Sequence, residues 1–314
     1  MTTNEQVSDL DVVVDEAMVA PLVARLDVDP GPLCPVQPSA VGAGAEHVPD
    51  DLAASAPLAT ALALVATARD AARLRIVGGG GGIDLAVWFG PEDDAASLRI
   101  ADDGLHIESP APAARAIDVL VDLVGESTFV AVDLEVELEP TAAVVFAALF
   151  DEARRDALRA LADGTAGERR ALSGAEIAAV IHEAPGNGLL GVIRAIAGVE
   201  HVDDFALGAA LEQLRVLDVA HRLDGGFGAT GATAELASRC FALQAEIELT
   251  RAWVTATGDV ERASCDVLLF GPRDLLAIER VGQSVRIATE SALGLVECAR
   301  SFLTTSHQVT SAPR

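Results

Sequence analysis

The chain contains no lysine and no tyrosine, and all 22 of its basic residues are arginine. Without lysine there can be no Walker-type phosphate loop, because the ammonium of GK[ST] is what clasps the terminal phosphates. Five consecutive glycines, Gly78 to Gly82, therefore cannot be read that way. They also fail the dinucleotide pattern GxGxxG, since Ile83 stands three places after Gly80, and they lead into the strand-like IDLAVWF where such a loop would open a helix. A hairpin connection is the better reading.

Cysteine is scarce as well. Cys34, Cys240, Cys265 and Cys298 form no CxxC and no framework spacing, which excludes a disulfide scaffold and fits a reducing cytoplasm. The six histidines, His47, His106, His182, His201, His221 and His307, make no HxH or HExxH. His182-Glu183 comes nearest to a metal motif but lacks the second histidine. No GxSxG elbow occurs. The acidic clusters Glu92-Asp93-Asp94 and Asp102-Asp103 fall at predicted hairpin turns and lack calcium-loop spacing. No catalytic residue, metal ligand or cofactor is expected from these patterns, and the chain reads as a non-enzyme.

Long apolar runs are also missing. The stretch Leu52 to Ala68 is alanine-rich, contains Pro57 and falls short of the ~20 residues that span a bilayer. The opening MTTNEQVSDLDVVVDE is acidic where a secretory leader would be basic and then apolar. These features predict no membrane insertion and a cytoplasmic location.

What the chain does have is acid and aliphatic side chains. Its 314 residues are 51% hydrophobic, with 48 acidic residues and a net charge of −26. That is enough for a folded core, at a length suited to about two domains of ~150 residues. A field this negative repels phosphate backbones and anionic lipid, so the expected partner is a protein client with an apolar or basic surface, and nucleic acid is disfavoured.

Residues 1–50 read as an N-terminal helix, VVDEAMVAPLVARL, and a Pro/Gly-rich linker. Residues 51–126 read as a helix starting at Asp50 or Asp51 and running to about Ala72, then strands ARLRIV, IDLAVWFG, SLRIA and LHIES, then a helix through AARAIDVLVDLV. Residues 232–303 repeat that order with TAELASRCFALQ, four strands, and SALGLVECARSFL. Phe89-Gly90-Pro91 recurs as Phe270-Gly271-Pro272, 181 residues later, while Ile107 and Ile287 are 180 apart. The expected fold class is α+β, built from two helix, four-stranded antiparallel meander, helix units with a pseudo-twofold relation. Residues 127–231 carry a strand, the helix PTAAVVFAALFDEARRDALRALADG and three further helices. They end in a winged-helix-like pattern with an Asp224-Gly225-Gly226 turn. Residues 304–314 read as a tail.

The element order in 51–126 and 232–303, with its acidic, Ala/Arg/Asp-rich composition, resembles the EspG-type chaperones associated with type VII (ESX) secretion. That resemblance implies two related α+β halves around a central antiparallel sheet, and a chaperone that shields an apolar tip of its client. The expected function is a cytosolic protein-binding module of that kind; the alternative is a winged-helix-derived regulator or sensor. Trp253, Arg273, Leu275 and Leu276 are the expected partner-binding residues. The last three depend on Leu275 lying at a turn, where the first copy carries Glu92-Asp93-Asp94.

Overall fold

The computed structural model describes residues 10–36, 49–78, 81–91, 94–101, 103–111, 113–165, 170–183, 188–271 and 274–304. The protein is α+β. Its first elements are β1 (Leu10–Val14), α1 (Glu16–Ala24), α2 (Asp50–Ala53), α3 (Ala56–Thr67), β2 (Asp70–Gly78), β3 (Gly81–Phe89), β4 (Ala95–Ala101), β5 (Gly104–Ser109) and α4 (Ala113–Val124). Then come β6 (Glu135–Leu138), α5 (Pro140–Asp163), α6 (Gly174–Glu183), α7 (Gly188–Ala197), α8 (Asp204–Val216), β7 (Ala220–Leu223), β8 (Gly226–Ala229) and α9 (Gly231–Ala237). The chain continues with β9 (Leu243–Val254), β10 (Val260–Phe270), β11 (Asp274–Val281), β12 (Ser284–Glu290) and α10 (Ala292–Leu303). Ten strands form an antiparallel sheet in the order β1-β5-β4-β3-β2-β9-β10-β11-β12-β6, and β7-β8 is a separate hairpin. Two compact units result: residues up to 123 with 248–264 and those from 296 on, and residues 124–247 with 265–295.

In the first unit the helix expected from Asp50 to about Ala72 is split. α2 stops at Ala53, and α3 restarts behind Ser55, whose hydroxyl accepts from the Leu58 amide at 3.4 Å. Pro57 sits in the first turn, where its missing N–H costs nothing. The chain is extended again from Asp70. At the start, Val13 and Val14 of the expected helix belong to β1, and the helix begins only after Asp15, which accepts from the Ala17 amide at 2.9 Å. The glycine run is a hairpin, with Gly78 paired to Gly81.

Directly opposed residues of antiparallel strands share a face. Trp88, Ala96, Leu98, Leu105 and Ile107 thus form one face, packed in a core with Val19, Leu22 and Val23 of α1 and Leu58, Leu62 and Val65 of α3. The Trp88 indole N–H donates to the Leu33 carbonyl at 3.0 Å, which ties residues behind α1 to this layer. On the other face Asp70 stands opposite Phe89. There Arg251, 7% exposed, donates from Nε and Nη2 to Asp70 (3.0 and 2.6 Å) and from Nη1 to the carbonyls of Ser301 and Thr304 (3.1 Å each). Its guanidinium lies 5.3 Å over the Phe89 ring. Every direction of this buried cation is occupied, the condition under which a buried ion pair is tolerated.

The second unit is organised by α5. Ala142 to Phe150 are buried all round, as a helix apolar on every side must be. They join Val136, Leu138, Leu268, Phe270, Leu276, Ile278 and Ile287 in a second core. Gly164, in the left-handed region at φ 63°, ends the helix.

The order strand, helix, helix, meander, helix recurs. β1 pairs with the last meander strand β5, with Val12 opposite Ile107, and β6 pairs with β12, with Val136 opposite Ile287. Residues 170–229 of the second half stand where the first half has the connector after α1. The tight turns Ala101↔Gly104 and Val281↔Ser284 match at a spacing of 180 residues. In that register Phe89, opposite Ala95, corresponds to Leu269, opposite Leu275. Phe270 is one residue past it. Phe89 therefore faces Arg251, away from the α1/α3 core, while Phe270 points into the α5 core. The shared topology stands, but Phe-Gly-Pro is not its marker.

Candidate functional site

Beyond Phe150 the helix α5 becomes amphipathic and leaves the core. Ala153, Ala157 and Ala160 recur at i, i+4 and i+7, which puts them on one side of α5. Facing them are Gly228 and Ala229 of β8, Gly231 and Ala234 at α9, and Leu172. Small side chains on both walls leave a cavity of about 660 Å³ between elements that would otherwise close on each other. Leu161, 67% exposed, and Phe241 stand at its mouth.

Two of the acids lining this groove, Glu152 and Asp156, are paired with arginines, and the third, Glu235, is exposed. Glu152, 5% exposed, accepts from Arg155 (3.1 Å) and Arg159 (3.2 Å) and lies 3.6 Å from Arg170. Asp156 accepts from Arg159 (2.8 Å) and from the Arg170 amide (2.9 Å). Arg170 also reaches Glu176 at 2.6 Å. Glu176 closes a capping box on α6: its carboxylate accepts from the Ser173 amide and hydroxyl, and its own amide donates to the Ser173 hydroxyl. The Ser173 amide, with the Ser173 hydroxyl and Arg170, holds the Glu176 carboxyl below its ordinary range. Burial pushes the neighbouring Asp151 carboxyl up. With Glu152 and Asp156 tied to arginines, the groove offers a shaped wall of alanines and glycines beside a polar rim of Thr165, Arg170, Glu235 and Ser238. Among the described residues, the His/Asp/Glu group close enough to share an ion lies in the other unit, at Asp11, His106 and Glu108.

The segment from Leu172 to Ala229 has winged-helix order. Leu172 bridges Phe227, the two exchanging N–H···O bonds of 2.9 Å each, and α6, α7 and α8 precede the β7–β8 hairpin. A Cβ on Gly226 would collide with the Leu172 carbonyl, so this close approach requires glycine. Helix α8 occupies the place of a groove-reading helix. It buries Leu207, Ala210, Leu211 and Leu214 and exposes Asp204, Phe205, Glu212, Arg215 and Val216. Phe205 is 88% exposed. Arg215, the one cation of α8, is bound to Glu212 through two hydrogen bonds of 2.8 and 2.6 Å. A DNA-reading helix needs free cations facing phosphate; this face is apolar and acidic.

Of the residues expected to bind a partner, Leu275 and Leu276 are strand residues of β11, opposite Leu269 and Leu268, and are 3% and 1% exposed. Neither is at a turn nor available as surface. The sequence alignment set them against Asp94 and Ala95, whereas the sheet register sets them against Ala95 and Ala96. Trp253 is half-buried on β9 in the first unit, and Arg273 lies outside the described residues. The groove was missed because its signal is a stripe of alanines in a helix, which reads as ordinary helix composition. No family model matches the chain, and no curated protein matches it.

Proposed function

We propose that the chain is a protein-binding module, in the form of a cytosolic chaperone that covers an apolar, basic-flanked surface of a secreted client. The observation that carries this reading is the groove beside the outer half of α5, walled by Ala153, Ala157 and Ala160 with Leu161 and Phe241 among its lining, and with its buried Glu152 already paired. The large exposed side chains Leu161 at the groove and Phe205 and Val216 on α8 support it, because exposed apolar groups in a chain of net charge −26 favour an apolar or basic protein surface. No described helix is long and apolar enough to cross a membrane.

The test is co-purification from the native host with a variant that fills the groove, Ala157→Trp. The wild-type protein should retain a stoichiometric client whose bound segment is apolar with arginine or lysine flanks, and Ala157→Trp should lose it while keeping its thermal transition. A client retained undiminished by a folded Ala157→Trp protein would refute the groove. The regulator alternative is supported by the winged-helix order of elements. It predicts salt-sensitive enrichment at defined genomic sites, and such enrichment would displace the chaperone reading.

A further inference from the structure

The two halves place different chemistry at the same position of the sheet. In the second half Arg286 stands opposite Glu137 on β6 and Glu279 on β11, and it donates to Glu135 (2.8 Å) and Glu279 (3.1 Å). The matching residue of the first half, opposite Val13 on β1 and Arg99 on β4, is His106. Asp11 matches Glu135, the first opposite Glu108 and the second opposite Ala288. Where the second half has the small Ala288, the first buries a carboxylate.

His106 Nε2 lies 2.8 Å from Asp103, and its Nδ1 lies 3.4 Å from Asp11 Oδ1. With the proton on Nε2 and donated to Asp103, the Nδ1 lone pair is directed at the carboxylate of Asp11. Glu108 is 7% exposed in its side chain. Its Oε1 faces Arg99 (3.4 Å) and Arg115 (3.9 Å), and its buried Oε2 has no partner. One donor atom from each of Asp11, His106 and Glu108 lies within 4.8 Å of the others. In the second half Arg286 bridges the acids on both sides of it; in the first half Arg99 and Arg115 reach only Oε1 of Glu108, and among the described residues the Glu108 Oε2 and Asp11 side of the group has no cation on it. A proton on Nδ1 would serve Asp11 but leave Glu108 Oε2 orphaned. A metal ion would serve all three.

We propose that Asp11, His106 and Glu108 bind a divalent transition-metal ion of the zinc class, with Asp103 orienting the imidazole from behind. One imidazole nitrogen and two carboxylate oxygens form a three-residue set that suits zinc and leaves a fourth position open. Zinc bonds of roughly 2.0–2.2 Å put tetrahedral ligands about 3.3–3.6 Å apart, the Asp11–His106 spacing. The His106–Asp103 hydrogen bond is the outer partner that fixes a metal-binding imidazole.

The full-length, metal-free protein should be titrated calorimetrically with Zn²⁺ alone. One equivalent should bind. Asp11→Asn, and His106→Arg, which carries the second half's guanidinium into this place, should each weaken binding at least about tenfold while leaving the metal-free thermal transition in place. His182→Ala, at the pair His182 and His201, whose rings are 6.3 Å apart, should bind as the wild type does. The proposal is overturned if the wild type binds no Zn²⁺, if His106→Arg binds undiminished, or if His182→Ala alone abolishes binding.

Discussion

The two halves of the sheet share strand order and edge pairing and differ in what they put at matched positions. In the second half Arg286 is paired with its own acids, and Phe270 packs in the core around α5. In the first, His106 is surrounded by acid, and Phe89 lies under the buried cation Arg251. One topology thus serves two kinds of interior. A residue's role follows from its register and facing helix, and cannot be carried across from a short matching motif.

The largest break in this comparison should come from Arg251→Ala. It strands Asp70 in a buried site, and urea denaturation should show a loss of about 3–5 kcal/mol. On the Phe270 side the cation is Arg239, which donates to Asp274 opposite Phe270 at 3.0 Å but is itself exposed, so it is no buried counterpart of Arg251. Phe89→Ala and Phe270→Ala each empty a buried ring, and each should cost about 3–5 kcal/mol. They are separated by a double-mutant cycle. Phe89 should couple to Arg251 by about 0.5–2 kcal/mol, whereas Phe270 should be additive with it. Equal coupling would mean that the two phenylalanines are equivalent after all.

A smaller effect belongs to the winged segment, which has no counterpart among the described residues of the first half. Ser173→Ala removes a helix cap and should cost about 1 kcal/mol by the same denaturation measurement. The mildest test is chemical. The Cys240 thiol is pushed up to about 12, chiefly by burial, so a thiol reagent on the native protein should modify half-buried Cys34 and Cys298 well before Cys240.

Much of the frame was legible because its signals are local. Pro140 and Gly164 bound α5, and the alternation in LHIES and SVRIATE marks strands. β1 was not, since an edge strand of five residues owes its existence to a partner far along the chain, β5, while the strand read at the start of 127–231 shortens to the four residues of β6 beside β12. Leu275 was misplaced for a related reason. Phe-Gly-Pro fixed an alignment one residue away from the hydrogen-bonded register, and one residue in a strand exchanges buried for exposed. The Asp11–His106–Glu108 group was invisible for want of sequence proximity, and the α5 groove because alanines are unremarkable in a helix.

The chaperone reading is tested most directly by a photoreactive residue placed at Leu161, at the mouth of the groove, in the native host. A single stoichiometric adduct with an apolar, basic-flanked protein segment, lost when Ala157→Trp fills the groove, is the predicted result. No adduct at Leu161 together with a strong one from a probe at Phe205 would contradict the groove and assign recognition to α8.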